Sequence, residues 1–304
     1  MLSEQLLELV PGAAEVRGVE QLTGGASRET WSFDALIGDV WTPLVLRSGR
    51  SGRGSMAREA LAFEAAARAG VPEPRIVASG DSFLVMERVE GETIARRILR
   101  DERFASARPH LAEQCGEILA RIHSIPPASI PGLDALDPLT DTAAMIHSFA
   151  EGSPALELGL AWLHRNRPEP EGSVVLHGDF RLGNLIIGEH GVRAVLDWEL
   201  VHRGDPFQDL GYLCVRAWRF GGEQPVGGFG TYEDLFRGYE RVSGRDVDPA
   251  QVRWWEVFGT VWWGGVCMQQ AWRHLSGSER SVELAAIGRR VWEQEYDVLL
   301  ALAP

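Results

Sequence analysis

Two short stretches in the middle of the chain carry side chains that could perform phosphoryl chemistry. HGDFRLGN (177–184) places Asp179 five residues before Asn184, and VLDW places Asp197 thirteen residues after that Asn. Asn occurs only twice in the 304 residues, although Gly, Ser and Asp are plentiful and would suffice for a simple turn. We therefore interpret Asn184 as a residue that is needed for its amide oxygen.

Transfer of a phosphoryl group requires a positioned hydroxyl, Mg²⁺ on the phosphates and groups that offset the developing charge. A carboxylate beside the hydroxyl can orient it and accept its proton. Mg²⁺ prefers hard oxygen ligands and usually takes only one or two carboxylates from the protein. The kinase catalytic loop has the same Asp-to-Asn spacing, followed by a metal-binding Asp on a later strand. The turn at Gly188 and Gly191 predicts a hairpin that brings Asn184 and Asp197 to one site.

The amino-acid composition argues against several classes of function. The net charge is −13 and Lys is absent, which excludes a Walker A phosphate loop and disfavours nucleic acid as a partner. No run of about 18 apolar residues predicts a membrane span, and the N-terminus carries acids where a signal peptide needs bases. We expect a cytoplasmic protein with no membrane partner. The acidity would suit a cationic substrate, but it is equally typical of solubility alone.

Periodicity predicts a small strand-rich part followed by a larger helical part, with the hinge near MERVEGE. No internal repeat is visible. The predicted elements are short strands over 19–47, a helix over 56–70, a hairpin around Gly80 and Asp81, helices from 92 to 172, short strands on both sides of the central loop, and helices from 206 to 302 with a break at 221–231.

HGDFRLGNLII, AVLDWE and GDPFQDLGY resemble the aminoglycoside phosphotransferase family, also called choline-kinase-like. The whole phrase over 177–213 is most similar to the branch of kinase-like domains fused to acyl-CoA dehydrogenases. Similarity is strong over 174–214, moderate over 20–91 and in the last helices, and weak between. The resemblance implies an α+β, two-lobed protein-kinase-like fold, with a small antiparallel-sheet N-lobe over 1–91 that binds nucleotide and a larger, mainly helical C-lobe over 92–304.

The same resemblance implies ATP or GTP as phosphoryl donor, Mg²⁺ as cofactor and a small-molecule hydroxyl as acceptor. It implies that Asp179 is the catalytic base and that Asn184 and Asp197 bind the metal. Arg181, in the same loop, is either a contact to phosphate or substrate or one half of a salt bridge. The resemblance also implies a structural role for His177 and a role for Asp209 in bracing the catalytic loop. Asp205 is interpreted as a turn or cap residue ahead of Pro206.

The nucleotide site implied by the resemblance lies in the N-lobe. LTGGASRETW resembles the short glycine loop of the family, whose backbone N–H groups approach phosphates at Gly24, Gly25 and Ser27. VLRSG places Arg47 at the position of the family's strand lysine, and Arg can still contact phosphate bidentately.

Glu59 matches the ion-pair partner of the strand cation, with Glu64 as the competing candidate. MERVEG resembles the segment that joins the lobes, where backbone groups of Glu87 and Val89 would contact the nucleotide base.

The acceptor stays open between an aminoglycoside-like antibiotic and a hydroxylated metabolite such as a hydroxyacyl-CoA or hydroxy acid. A non-catalytic nucleotide-binding module is the alternative, because Arg47 departs from the commoner Lys. A protein kinase is disfavoured, since only twelve residues separate Asp197 from Asp209 and the APE phrase is missing.

In the aromatic stretch 254–272, spacing predicts a core stripe. That stripe is Trp254, Phe258 and Trp262; the pocket candidates are Trp255, Glu256, Trp263, Gln270 and Arg273.

Overall fold

The structure is a computed structural model that describes residues 2–22, 29–49, 56–133, 137–149 and 152–303. Within these ranges the helices are α1 (Leu2–Leu9), α2 (Met56–Arg68), α3 (Ala95–Arg100), α4 (Arg108–His123), α5 (Pro138–His147), α6 (Pro154–Arg165), α7 (Phe207–Cys214), α8 (Tyr232–Ser243), α9 (Pro249–Ser276), α10 (Val282–Arg289) and α11 (Val291–Leu302). The strands are β1 (Ala13–Leu22), β2 (Glu29–Ile37), β3 (Val40–Ser48), β4 (Ile76–Gly80), β5 (Phe83–Glu87), β6 (Val174–Leu176), β7 (Leu185–Gly188), β8 (Gly191–Val195) and β9 (His202–Gly204).

The first five strands form one antiparallel sheet in the order β1-β2-β3-β5-β4. Side chains on successive positions of a strand point to opposite faces, and β5 is buried on both faces. Val85 joins a core cluster with Leu6 of α1, whereas Leu84 and Met86 join the cluster that contains Phe63 of α2. The sheet therefore lies between α1 and α2, and β3 is held at its centre. The predicted antiparallel-sheet part and the following helical part are both present.

The predicted local elements agree with the structure in most places. The hairpin around Gly80 and Asp81 is β4 and β5, and the helix expected over 56–70 ends at Arg68. Gly70 follows this helix with φ of +81°, a backbone conformation that Gly adopts without steric cost. Helices α5 and α6 lie within the stretch from 92 to 172 that was predicted to be helical. Helix α1 was not predicted, because its eight residues are too few for a clear periodic pattern.

Four short strands surround the central loop and form two antiparallel pairs. β6 pairs with β9, so that Leu176 lies opposite His202, and β7 pairs with β8, so that Leu185 lies opposite Val195. The loop at 177–184 connects β6 to β7, and the segment containing Asp197 connects β8 to β9. The two loops therefore emerge side by side, which confirms the predicted hairpin between Asn184 and Asp197.

The C-terminal helices pack around α9, a single helix of 28 residues that contacts α5, α6, α7, α10 and α11. Trp254 on α9 is buried, and its indole N–H donates to the carbonyl of Leu163 at 3.1 Å. In the part of the chain that the structure describes, no helix has the length and apolarity needed to cross a membrane.

Helices α4 and α8 approach closely because each has a glycine facing the backbone of the other helix. A Cβ atom at Gly116 would lie 2.2 Å from the carbonyl oxygen of Leu235, and one at Gly238 would lie 2.1 Å from that of Glu113. Both clashes are with backbone atoms, so they could be relieved only by moving the helices apart. This pair helps to hold α4, and with it His123 at the C-terminal end of α4, under the central loop.

We predict that Gly116→Ala lowers the free energy of unfolding by about 1–3 kcal/mol, because overpacking outweighs the better helix propensity of Ala. Urea unfolding of the variant would measure this change. Gly152→Ala is the control, since a Cβ there meets nothing within 4 Å, and it should be neutral or slightly stabilising. Equal stability of Gly116→Ala and wild type would show that the helices can separate freely.

Candidate active site

Asp179 lies at the centre of the loop between β6 and β7, and both of its carboxylate oxygens accept hydrogen bonds. Arg181 Nε donates to Oδ1 at 2.9 Å, and Asn184 Nδ2 donates to Oδ2 at 2.6 Å. An ionised carboxylate can accept about four hydrogen bonds, so these contacts fix its orientation and leave lone pairs for a further donor. The salt bridge that was one alternative for Arg181 is present, and its contact to phosphate or substrate stays a prediction.

The side-chain amide of Asn184 is oriented by its partners. Nδ2 donates to the backbone carbonyl of Asp179 at 2.9 Å as well as to the Asp179 carboxylate. Both partners are acceptors only, so the NH₂ group must face them and the amide oxygen must face away. The backbone carbonyl of Asn184 accepts from Leu196 N–H at 2.8 Å, which ties the residue to the segment just before Asp197.

His177 holds the loop together internally. Its Nε2 donates to the carbonyl of Leu196 at 2.9 Å, and its Nδ1 accepts the backbone N–H of Asp179 at 3.2 Å. Because one ring nitrogen meets an acceptor and the other a donor, this pairing defines a neutral imidazole with the proton on Nε2. The ring is fully buried and packs 4.8 Å from the ring of Trp198. These contacts confirm the structural role that was predicted for His177.

Asp209, the predicted brace, is completely buried at the start of α7. Its carboxylate accepts the backbone N–H groups of His177 at 2.8 Å and Gly178 at 3.0 Å. His123 Nε2 lies 3.3 Å from the same carboxylate, and His123 Nδ1 lies 2.9 Å from the Tyr239 hydroxyl. Burial raises the pKa of Asp209, but His123 and the loop N–H groups outweigh it, so the pKa is lowered. The sequence predicted the carboxylate and missed His123 and Tyr239, which have no recognisable spacing to it.

Nearby, Asp205 accepts the N–H groups of Phe207 at 2.9 Å and Glu171 at 2.8 Å. The bond to Phe207 agrees with the predicted role of Asp205 as a turn residue, whereas the N-cap position of α7 is Pro206.

Arg47 on β3 joins three separate parts of the chain. One terminal nitrogen donates to Glu59 of α2 at 2.7 Å, and the other donates to Asp197 at 2.8 Å. Glu64, the competing candidate, instead lies 3.7 Å from Arg68 on an exposed surface. The predicted pairing of Arg47 with Glu59 is therefore present, and the contact with Asp197 is an addition that the sequence did not indicate.

The electrostatics of this cluster favour the charged guanidinium. Burial opposes the charge on Arg47, but the carboxylates of Asp197 and Glu59 outweigh it and raise the pKa, with a smaller contribution from Glu199. Asp197 itself has φ of 67° and ψ of 66°, a left-handed conformation that is uncommon for a residue other than Gly. Such backbone conformations are found preferentially at functional sites.

Arg181 is held from two sides. Its guanidinium lies 4.6 Å from the ring centroid of Trp218 and donates to Asp179. Burial opposes its charge as well, and Asp179 outweighs that effect and raises the pKa of the guanidinium. The buried hydroxyl of Tyr212 lies near Asp179 and Arg181, outside hydrogen-bond geometry, and its pKa is raised by burial and by the Asp179 carboxylate. Tyr212 and Trp218 were not recognised from the sequence, since they follow the catalytic loop by about thirty residues.

Of the remaining predicted nucleotide contacts, the structure describes Glu87 and Val89. Gly24, Gly25 and Ser27 fall outside the described residues. Glu87 ends β5, and its side chain accepts from Arg75 Nε at 3.0 Å, while Val89 lies in the irregular segment that follows.

Arg88, between Glu87 and Val89, is anchored to the sheet. It donates to Ser32 at 2.6 Å and to Asp34 at 2.9 Å, both on β2. The linking segment is thus fixed at the end of the sheet, and the backbone contacts to a base stay a prediction.

Beside the central loop lies a cavity of about 100 Å³, which we call the aromatic cavity. Gly178 lines it at the loop side, and Tyr212, Trp255, Phe258 and Trp262 form much of its wall. Phe258 is buried in the core and Trp262 packs against it, as predicted, and both also reach this wall. Beside the cavity α7 packs closely along α9 at Gly211 and Gly259, where a Cβ atom would clash with the other helix.

Of the other pocket candidates, Glu256 is buried in a charge network with Arg219, Arg253 and Tyr232, and Arg273 bonds to Gln270. Trp263 packs 4.8 Å from Trp218. These residues do not line the aromatic cavity.

The side chains that could hold a divalent cation are Asn184 and Asp197. An amide oxygen that faces away from its own loop and a carboxylate on the adjacent loop are hard oxygen donors, the type that Mg²⁺ prefers. Only one of the two is charged, which suits a cation whose other ligands are phosphate oxygens and water. The donor set therefore fits magnesium.

A sequence model of the phosphotransferase enzyme family matches residues 18–254. The chain belongs to this family. A mouse protein named acyl-CoA dehydrogenase family member 10 is 33% identical over 199 residues, covering 57% of this chain. The match covers only 18% of that relative's length, and the rat family member 11 is similarly matched over 20% of its length.

Two further comparisons cover most of the chain. The aminoglycoside 3'-phosphotransferase of Streptomyces fradiae is 29% identical over 258 residues, covering 79% of this chain and 88% of the relative. The solved structure of a thermostable mutant of aminoglycoside phosphotransferase APH(4)-Ia, in a ternary complex with ADP and hygromycin B, has a TM-score of 0.68 and 16% identity. That match covers 100% of this chain and 99% of the solved one. The predicted family and the two-lobed kinase-like fold are confirmed.

We predict that Asp209→Ala lowers the free energy of unfolding by about 3–5 kcal/mol, because it leaves buried donors of the loop and His123 without their acceptor. Asp209→Asn, which keeps one acceptor oxygen, should lose less. Exposed Asp246→Ala is the control and should change stability little. Chemical unfolding measures all three variants.

The pH dependence of this loss follows from the lowered pKa of Asp209. Its contribution is fully present above the unfolded pKa of about 3.9 and disappears as the pH falls through the lower folded value. The difference between wild type and Asp209→Ala should therefore be steady near neutral pH and shrink below about pH 4. A difference that grows on acidification would contradict the assignment.

Proposed function

We propose that this protein is a Mg²⁺-dependent phosphotransferase that moves the γ-phosphoryl group of ATP or GTP to a hydroxyl of a small molecule. The observation that carries the proposal is the joint arrangement of Asp179, Asn184 and Asp197. The NH₂ group of Asn184 is committed to Asp179, so its amide oxygen faces away from that residue, and the backbone carbonyl of Asn184 is bonded to Leu196, the neighbour of Asp197. The family membership and the ADP bound to the APH(4)-Ia relative support the reaction class.

Within this proposal, residues 1–91 form the nucleotide-binding lobe and residues 92–304 the lobe that holds the catalytic loop and acceptor. Arg47 would contact phosphate, with Glu59 holding its guanidinium in place. The glycine loop at 24–27 would approach the phosphates, and the backbone at 87–89 would contact the base.

Asp179 is proposed as the group that accepts the acceptor's proton. Arg181 and Asn184 fix its carboxylate, so a hydroxyl that donates to it is held in one orientation. The hydroxyl oxygen forms a bond to the γ-phosphorus, the bond from that phosphorus to the bridging oxygen breaks, and ADP or GDP leaves. The proton ends on Asp179, and Arg181 offsets charge on the transferring group. A magnesium ion held by Asn184 and Asp197 would neutralise the phosphates.

The names of the relatives favour two acceptor classes. Aminoglycoside phosphotransferases and the hygromycin B complex favour an antibiotic-like acceptor. The matches to acyl-CoA dehydrogenase family members 10 and 11 favour a hydroxylated metabolite such as a hydroxyacyl-CoA or hydroxy acid. A panel of both kinds, tested for nucleotide consumption, separates them.

We predict that Asp179→Asn lowers kcat by about 10²–10⁴-fold while the dissociation constant for Mg-nucleotide stays within about two-fold of wild type. The variant keeps the size of the side chain and loses its ability to take a proton. Turnover would be measured with the best substrate of the panel, or as slow Mg²⁺-dependent hydrolysis of ATP or GTP. Asp246→Asn is the matched control on the surface. Near-normal kcat in Asp179→Asn would refute the assignment.

A second prediction concerns the metal. In calorimetric titrations with ADP, wild type should bind more tightly with Mg²⁺ than without it, and Asp197→Asn should lose most of that difference. Asp179→Asn should keep the difference, because Asn184 still donates to the backbone carbonyl of residue 179 and Asp197 is unchanged. If both variants behaved alike, Asp197 would have no separate role in holding the metal.

A further inference from the structure

A small group of aromatic side chains lies beside the proposed catalytic loop and forms a hydrophobic cluster of its own. Trp218 is its contact to the loop, since this residue is 2% exposed and its ring centroid lies 4.6 Å from the guanidinium carbon of Arg181. The other members are Tyr212, Val215 and Ala217, with the half-buried Phe220, Trp262 and Trp263 packed against them. The cluster thus contacts, at Arg181, the charged side chain that also holds Asp179.

The guanidinium of Arg181 is held at two of its three nitrogens and by the ring. Nε donates to Asp179 Oδ1 at 2.9 Å, and Nη1 donates to the carbonyl of Leu182 at 3.2 Å. The ring of Trp218 lies within the roughly 6 Å over which an aromatic face attracts a cation. Among the described residues, Nη2 has no acceptor in hydrogen-bond geometry. This nitrogen is therefore left to donate to an oxygen of the transferring phosphoryl group.

Trp218 is not held in place by a hydrogen bond of its own. Its indole N–H is buried and finds no acceptor in the part of the chain that the structure describes. A buried donor without a partner costs stability, so a purely apolar side chain would fill this position at lower cost. What an indole supplies here and an aliphatic side chain does not is a ring face for the Arg181 cation.

Three neighbouring rings fix Trp218. Its ring centroid lies 4.8 Å from that of Trp263, 5.6 Å from that of Tyr212 and 6.3 Å from that of Phe220, which are distances typical of aromatic pairs. An aromatic side chain has only two rotatable bonds, whereas the long stem of Arg has much more rotamer freedom to lose. Trp218 is therefore the rigid partner of the pair, and it can determine where the guanidinium lies.

We propose that Trp218 is a positioning residue for phosphoryl transfer and that it acts through Arg181. Its ring holds the guanidinium so that Nε keeps the Asp179 carboxylate oriented while Nη2 donates to the transferring phosphoryl group. The inference rests on the proposed phosphotransferase function and goes beyond it, because it assigns the side chain that sets the geometry of both groups. The proton still passes from the acceptor hydroxyl to Asp179, and Arg181 keeps its own protons throughout.

The first measurement is the rate of Mg²⁺-dependent hydrolysis of ATP and of GTP, which needs no identified acceptor. Trp218→Leu should lower kcat by about 10–100-fold and leave the KM for Mg-nucleotide within about two-fold, because a small misplacement of catalytic groups has an effect of that size. Trp218→Phe keeps a ring face and should stay within about three-fold of the wild-type kcat. Trp272→Leu, at a 54% exposed position of α9, is the control and should leave kcat unchanged.

The second measurement separates positioning from packing. Arg181→Met removes the cation and keeps an unbranched side chain. In the Arg181→Met background, Trp218→Leu should change kcat by less than about two-fold, because the group that the ring positions is gone. A side chain with a packing role alone would lower kcat by the same factor in both backgrounds.

NMR spectroscopy measures the contact without any turnover. The signal of the Arg181 Nε–H group is assigned by its loss in Arg181→Met, and the nearby ring of Trp218 influences its position. The signal should shift in Trp218→Leu and shift much less in Trp218→Phe. Should Trp218→Leu not fold, Trp218→Met replaces it in all three measurements, because Met fills irregular space without supplying a ring.

The outcomes distinguish this proposal from the function on which it rests. Near-normal kcat in Trp218→Leu, or single losses that multiply in the double variant, would overturn the role of Trp218 while turnover by the wild type leaves the phosphotransferase function standing. An Arg181 signal that Trp218→Leu does not shift would overturn the contact itself. A wild type that neither hydrolyses nucleotide nor transfers phosphate would refute the function and, with it, any part of Trp218 in catalysis.

Discussion

The guanidinium of Arg47 is shared by two carboxylates that come from distant parts of the chain, Glu59 and Asp197. Two partly or wholly buried carboxylates on one site repel each other and lose hydration, so they need a cation between them. Arg supplies two parallel sets of donors from one planar group, which a Lys ammonium does not. This contact thus ties β3 to α2 and to the segment after β8, which carries the candidate metal ligand.

The central loop obtains its shape from a different set of contacts, none of which needs a bound nucleotide. Asp209 accepts the N–H groups at the start of the loop, His177 bonds across to Leu196, and Asn184 bonds back to Asp179. Each donor in this set meets an acceptor, which is how buried polar groups avoid a large desolvation cost. A loop fixed in this way presents Asp179 in one orientation before substrate arrives, which is the form of preorganisation that favours catalysis.

How much the sequence could predict depended on whether a contact is local. Asp179 and Asn184 have a fixed spacing with a known chemical meaning, and the hairpin of β7 and β8 follows from its glycines, so this part of the site was predicted. Helix α1 is too short to show a period, and the contact between Arg47 and Asp197 spans 150 residues. Such contacts depend on how the lobes pack. Periodicity correctly predicted that Trp262 packs against the core, but it could not show that the same side chain also reaches a cavity, because it defines only the face of a helix.

The site is polar on one side and apolar on the other, and this asymmetry bears on specificity. On the side of Arg47 and Asp197, charged groups match phosphates and a metal ion and would serve any acceptor alike. On the side of Tyr212 and Trp262, aromatic and aliphatic side chains form most of the wall. An apolar wall discriminates weakly between similar apolar groups but strongly against groups that must be dehydrated. Differences in substrate between members of this fold could therefore arise on the α5, α7 and α9 side alone, without any change in the proposed catalytic loop.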